Sequence, residues 1–181
     1  MKNAIRAGAH SIEHATLMDQ EASDLMRKQG VYMVPTLSAL ATAVACGLAA
    51  GIPEDVVNKA QALRARHSAS FKQAHRAGIL IAMGTDAGTP FNYHGENAHE
   101  LERMVALGMS PMEAIVAGTS SAASLLGIDH LIGTLEKGKL ADLVIVNGNP
   151  IRRISILQEK NRIAGVMQAG RLVSGPLSKR A

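Results

Sequence analysis

An α/β fold with parallel strands is what this sequence predicts, and three observations carry the prediction. Strand-like and helix-like segments alternate as far as Gly127, the order that gives parallel strands joined by right-handed crossovers. One strand candidate, Ile79-Leu80-Ile81-Ala82-Met83, is apolar throughout, as expected of a strand covered on both faces. Aromatic residues are only 2% of a chain that is 47% hydrophobic. The core is therefore aliphatic, which suits helices packed on parallel strands.

Ala9 to Ala15 read as a short strand ending in a turn. Asp19 is a suitable N-cap for a helix over Gln20–Gln29, and Gly30 is its stop. Val31 to Val34 form a second strand, ended by Pro35, which has no N–H to donate to a ladder. Thr36 to Gly51 is rich in small residues and reads as helix or loop. Pro53-Glu54-Asp55 opens a long helix to about Ala77, with Val56, Ala60, Leu63, His67, Phe71 and Ala74 on its inner face. Gly78 ends it, and the third strand, 79–83, runs straight into the polar turn Gly84-Thr85-Asp86-Ala87-Gly88. A further helix over about Asn97 to Leu107 turns Leu101, Met104 and Val105 inward. Ser110-Pro111-Met112-Glu113 is a capping box with proline at the first helical position, opening a helix to about Leu126.

Beyond Gly127 the character changes. Gly133-Thr134-Leu135 and Ala141 to Asn147 read as short strands, and Gly148-Asn149-Pro150 as a turn. Ile163 to Gln168 and Arg171 to Val173 form a closing hairpin around Ala169-Gly170. The expected division is 1–130 and 131–181.

The net charge is +4, and the basic residues are scattered, with Arg152-Arg153 the densest spot outside the Lys179-Arg180 tail. Without a basic stripe interleaved with aromatics, nucleic acid is not an expected partner. The single cysteine, Cys46, allows no internal disulfide and fits a reducing cytoplasm. The opening MKNAIRAGAH lacks the apolar core of a signal peptide. The most apolar run, about Leu37 to Ile52, is too short and mixed to span a membrane.

Two strand ends carry residues suited to chemistry. His14 follows Ser11-Ile12-Glu13 where the first strand meets its loop, and Asp86 lies in the turn after the third. In parallel α/β folds the active site sits at the C-terminal ends of the strands. A neutral imidazole binds a metal such as zinc, and a carboxylate binds metal and takes a proton from water. On spacing alone both also have ordinary readings, a hydrogen-bonded histidine and a turn-forming aspartate. His10 shares strand parity with His14 but lies toward the other end, as packing. His67 reads as packing, and Glu13 as either a support for His14 or a salt-bridge partner.

The ordered text resembles the amidohydrolase superfamily, in the branch of imidazolonepropionase-like and Xaa-Pro dipeptidase-like enzymes. The matching segments are Ala4-Ile5-Arg6-Ala7-Gly8, Ser11-Ile12-Glu13-His14, Gly30 to Leu37, Gly84 to Gly88 and His94-Gly95-Glu96-Asn97-Ala98. Gly108 to Ala114 and Gly133 to Val144 complete the series. The resemblance implies the C-terminal part of a (β/α)8 barrel, its last three strands and helices, followed by C-terminal strands of a small β-sandwich. It implies that His14 is a metal ligand, that Asp86 is both metal ligand and general base, and that His94 belongs to a substrate-binding segment. The cofactor implied is a divalent metal, zinc by preference, with one or two ions in the complete enzyme. The reaction is hydrolysis of an amide, peptide or cyclic amide C–N bond, with a small molecule or dipeptide as substrate.

The chain departs from the family pattern in lacking a His-x-His pair and the strands that carry the family's remaining ligands. A full barrel takes roughly 250 residues, and a catalytic zinc uses about three protein ligands. The expectation is therefore a C-terminal fragment, inactive alone, that pairs with an N-terminal half or with copies of itself through open strand edges. The alternative is a non-catalytic remnant, or one half of a split enzyme serving as an assembly module.

Overall fold

The computed structural model describes residues 1–179, so Arg180 of the basic tail lies outside the described residues. A short helix α1 (Lys2–Arg6) precedes β1 (Ser11–Glu13), α2 (Gln20–Gln29) and β2 (Tyr32–Val34). Then come α3 (Leu37–Cys46), α4 (Glu54–Arg76), α5 (Ala98–Ala106), α6 (Pro111–Ala117) and α7 (Ser120–Leu125). The chain closes with β3 (Leu143–Val146), β4 (Ile163–Gln168) and β5 (Arg171–Ser174).

β1 and β2 pair in parallel, Ser11 with Tyr32 and Glu13 with Val34. On the other side of β2, Ile81 makes a single parallel bridge to Met33, with Met33 N donating to Leu80 O at 2.8 Å and Ala82 N to Met33 O at 3.1 Å. The expected third strand is thus reduced to one bridge. Among the described residues its one strand partner is β2. Side chains alternate between the two faces of a strand, and Leu80 is exposed between the buried Ile79 and Ile81, which corrects the expectation that all of 79–83 is buried.

The helices pack where their caps direct them. Asp19 accepts the N–H of Ala22 and Gly30 closes α2 in the left-handed region at φ 66°, both as the sequence predicts. The 23 residues of α4 extend about 34 Å, longer than the strands beneath. Its buried residues are Val57 near the start and His67, Ser70, Phe71 and Ala74 in the C-terminal half, whereas Val56 and Leu63, expected inward, are exposed. The capping box of Ser110 and Glu113 forms as predicted. The helix it opens stops at Ala117, whose carbonyl accepts Met83 N at 2.8 Å. Thr119 then breaks the backbone before α7 starts.

The core gathers Ile5, Met26, Met33, Phe71, Ile81, Met104 and Ala114 between the strands and the helices. β3, β4 and β5 form a separate antiparallel sheet. Its hairpin turns through Ala169 (φ 47°) and Gly170 (φ 81°), the backbone of a two-residue turn with both central residues left-handed. The expected strand at Gly133-Thr134-Leu135 is absent. Among the described residues no neighbour offers it a ladder, and Leu135 is 82% exposed. Ile154 nevertheless returns to the main core, and Gln158 Nε2 donates to Glu102 of α5 at 2.8 Å.

Candidate active site at the strand ends

The parallel strands leave the sheet at one end through residues whose backbones are unusual. His14 (φ 63°) follows β1, Thr36 (φ 51°) follows β2, and Asp86 (φ 54°) follows the Ile81 strand. Positive φ is uncommon outside glycine, and for a β-branched threonine it is an outlier. Such conformations persist only where their surroundings over-determine them.

His14 N donates to Val34 O at 2.8 Å, which continues the β1–β2 ladder by one rung and sets the start of the loop. The exposed His14 ring places Nδ1 2.6 Å from Thr36 Oγ1, leaving Nε2 free for another partner. Thr36 is buried. Sequence reasoning passed over it, because a threonine after proline carries no motif of its own. Gly84 is required here by close approach. A Cβ on it would collide with Val34 Cγ1 and lie 3.7 Å from Thr36 Cγ2. The Asp86 turn is thereby brought beside the β2 exit.

Asp86 is exposed, and its carboxylate makes no hydrogen bond among the described residues. Its position is set through its backbone by the buried Asn92, whose Nδ2 donates to Thr85 O at 2.6 Å and to Asp86 O at 3.0 Å. Gly88 N donates to Asn92 O at 2.8 Å, closing the loop on itself. His94 is exposed, and its Nε2 would lie 3.6 Å from a Cβ placed on Gly88. The same loop thus brings His94 near the Asp86 turn.

A layer of buried polar groups lies behind these residues. Ser70 of α4 donates to Thr16 O at 2.9 Å and accepts Met18 N at 3.2 Å, pinning the loop after His14. His67, one turn earlier on α4, lies behind the same exits. Burial lowers its pKa, the nearby carbonyls of Pro35 and His14 oppose that shift, and Nε2 makes no hydrogen bond of good geometry. Glu100 of α5 is fully buried, and its two oxygens accept Leu37 N at 2.7 Å and Ser38 N at 2.8 Å at the start of α3. Burial raises its pKa, and the hydrogen bonds from Ser38 and Leu37 oppose the shift.

Other candidates are placed differently. Glu13 neither supports His14 nor forms an ion pair among the described residues, and instead accepts Ser11 Oγ at 2.6 Å on its own strand. His10 stands at the opposite end of the sheet, where its carbonyl accepts Tyr32 N at 2.9 Å. No three His, Cys, Asp or Glu side chains gather as a metal site among the described residues. An imidazole with no partner on Nε2 and an unpaired carboxylate, both at one strand end among the described residues, are nonetheless fitting donors for part of one.

This chain belongs to the amidohydrolase family, whose profile matches residues 1–173. Among its relatives is the ochratoxinase of Aspergillus niger, 35% identical over 96% of this chain and 35% of that enzyme. The imidazolonepropionase of Geobacillus kaustophilus is 35% identical over 54% of this chain and 23% of its own. A crystal structure of a Xaa-Pro dipeptidase with methionine in its active site shares 44% identity and superposes with a TM-score of 0.86. That likeness covers 96% of this chain and 42% of the dipeptidase. The chain spans less than half the length of each of these relatives.

Proposed function

We propose that this chain supplies the C-terminal part of the active site of a metal-dependent amidohydrolase. In this reading residues 1–130 are the last three strands and helices of a (β/α)8 barrel, and 131–181 belong to a small β-sandwich. The observation that carries it is the shared end at which His14, Thr36 and Asp86 leave three successive parallel strands with positive φ. The switch from a parallel to an antiparallel sheet supports the domain division. The single Cys46 supports a reducing, cytoplasmic setting.

His14, through Nε2, and Asp86 would hold a divalent ion, zinc by preference, with the remaining ligands supplied from outside the chain. Such an ion supplies Lewis acidity toward the scissile carbonyl and toward water. Asp86 takes a proton from the attacking water and delivers it to the leaving nitrogen. The unpaired carboxylate supports that role, since no neighbouring donor holds its lone pairs. His94, beside the same turn, faces the substrate. The likeness to a Xaa-Pro dipeptidase favours a dipeptide among C–N substrates, with proline after the scissile bond. The open outer edge of the Ile81 strand, which bridges only to Met33 among the described residues, supports pairing with a barrel half carried by another chain or segment.

The test is zinc content and Xaa-Pro hydrolysis, measured on the chain alone and after complementation with the N-terminal barrel half of a relative. We expect no measurable rate from the chain alone. The complemented enzyme should hydrolyse the dipeptide and lose both metal and rate on His14→Ala or Asp86→Asn. A metal-dependent rate from the chain alone overturns the incomplete-site reading. Full metal loading in both variants overturns the ligand assignment.

A further inference from the structure

We propose that Glu100 is a positioning residue, which anchors the turn after β2 from α5 and so holds Thr36 as the spacer between His14 and the Asp86 turn. Its bearing on the reaction rests on the reading of His14 and Asp86 as parts of one site.

Thr36 reaches both sides of that site. Its Oγ1 lies 2.6 Å from His14 Nδ1. Its Cγ2 faces Gly84, two residues before Asp86, where a Cβ would lie 3.7 Å from it. Thr36 is buried, so its side chain fills the space between the two turns. Its backbone (φ 51°) is one that a threonine keeps only under constraint.

That constraint comes from both ends of the turn. Before it, Val34 O accepts His14 N at 2.8 Å, which ties the chain to the ladder, and the ring of Pro35 fixes its own φ. After it, the Thr36–Leu37 peptide is held at both polar atoms. Its N–H, that of Leu37, donates to Glu100 at 2.7 Å, and its carbonyl, that of Thr36, accepts Ala39 N at 3.3 Å. The other Glu100 oxygen accepts Ser38 N at 2.8 Å. Leu37 and Ser38 carry orphan donors at the start of α3. An N-cap residue usually satisfies such donors with its own side chain, but Thr36 makes no side-chain cap bond. Glu100 caps α3 from α5 instead, and Thr36 Oγ1 stays on the His14 side. A fully buried carboxylate is costly unless its hydrogen bonds are made, and Glu100 commits both oxygens to this one turn.

The experiment is solution NMR of the metal-free full chain. In the wild type we expect the short intraresidue HN–Hα distance of a left-handed residue at Thr36, a contact from the Thr36 methyl to Gly84 Hα, and slow amide exchange at Leu37 and Ser38. Glu100→Gln keeps the shape but turns an amide donor toward one of the two N–H groups. It is expected to speed exchange at those amides by about tenfold, the scale of one net hydrogen bond, and to abolish both Thr36 signals. The Asp86 amide should shift with them, while Gly170 in the antiparallel sheet stays fixed, which separates this effect from general loss of structure. Glycine takes positive φ without strain, so Thr36→Gly in the Glu100→Gln background should restore the left-handed backbone at position 36. A packing role for Glu100 would not give that rescue. If Glu100→Gln does not fold, Glu100→Asp, which draws the carboxylate back by one methylene, is read in its place. A wild type lacking either Thr36 signal, or a Glu100 variant that keeps both, overturns the proposal. Excess zinc added to the wild type separates the two claims. If Thr36 responds to Glu100 but zinc leaves His14 and Asp86 undisturbed, the metal-site reading fails and the spacing stands. If zinc moves both while Thr36 ignores Glu100, the spacing fails and that reading stands.

Discussion

The strand-end region and the antiparallel sheet both contain residues forced into left-handed backbone, but they hold them differently. At the strand ends, His14, Ala15, Thr36, Asp86 and Phe91 have positive φ. Behind them stand the buried polar side chains of His67, Ser70, Asn92 and Glu100, drawn from α4, α5 and the Asp86 loop. In the sheet the left-handed pair is Ala169 and Gly170, in a surface turn braced by Asp142, whose carboxylate accepts Ala169 N at 2.6 Å. Around it, Val144 and Val173 are exposed. Unusual backbone fixed by buried groups from several elements indicates a conformation required for its own sake. The same φ in a hairpin indicates only a tight turn.

The largest expected contrast is in packing. Phe71 is fully buried in the core between the parallel strands and the helices, and Phe71→Ala is expected to destabilise the chain by about 3–5 kcal/mol in urea unfolding. Val144→Ala, at an exposed sheet position, is expected to stay within about 0.5 kcal/mol. Equal losses at the two sites would mean that a partner surface or a second sheet covers β3 in solution, and would break the comparison.

Next in size is the Asp86 loop. Asn92→Ala removes the donor shared by the Thr85 and Asp86 carbonyls and is expected to cost about 1–3 kcal/mol. Local opening should appear as faster amide exchange at Gly88, whose N–H bonds to Asn92 O. Unchanged exchange there would show that the turn holds Asp86 without its brace.

Two glutamates give opposite pH signatures that sharpen the contrast further. Burial raises the Glu100 pKa above its ordinary 4.5. Its protonated form is favoured by folding, so its contribution is full below pH 4.5 and is lost as pH rises through the raised folded value. Glu113, in the exposed capping box, is lowered by its hydrogen bonds to Ser110. Its contribution is present above 4.5 and is lost as pH falls through the lowered folded value. Comparing stability against pH for Glu100→Gln and Glu113→Gln should show wild-type slopes of opposite sign. A matching slope for both would sink the account of Glu100 as a buried charge.

What could be read from the sequence depended on whether the determining contacts were local. The caps at Asp19, Gly30 and Ser110, and the hairpin at Ala169-Gly170, are decided within a few residues and were legible. The helix breaks at Thr119, beside a carbonyl bonded to the distant Met83, and the exposure of Val56 and Leu63 depends on where a long helix outruns its sheet. Periodicity alone shows neither. The strand-end positions of His14 and Asp86, and the place of His94 in the loop beyond Asp86, could be expected from motif order. Thr36, Asn92 and Glu100, which hold that end in place, lay hidden because their partners are 22, 6 to 7, and 62 to 63 residues away in sequence.

The smallest effect tests the comparison most directly. Ala169 occupies a left-handed conformation that costs a non-glycine residue roughly 1–2 kcal/mol, and asparagine tolerates it better. Ala169→Asn keeps the backbone N–H that donates to Asp142 and is expected to stabilise the chain by about 0.5–1 kcal/mol. For a domain of this size that corresponds to a Tm rise of about 1–4 °C. Thr36 has a similar φ, so Thr36→Gly relieves strain of the same kind. It also removes the hydroxyl from His14 Nδ1, so any stability gained should come with a changed His14 ring. If Thr36→Gly were as silent at His14 as Ala169→Asn, the strained threonine would be a turn and nothing more. A stabilised hairpin beside a disturbed imidazole would show that the same backbone geometry is incidental in the sheet and required at the strand ends.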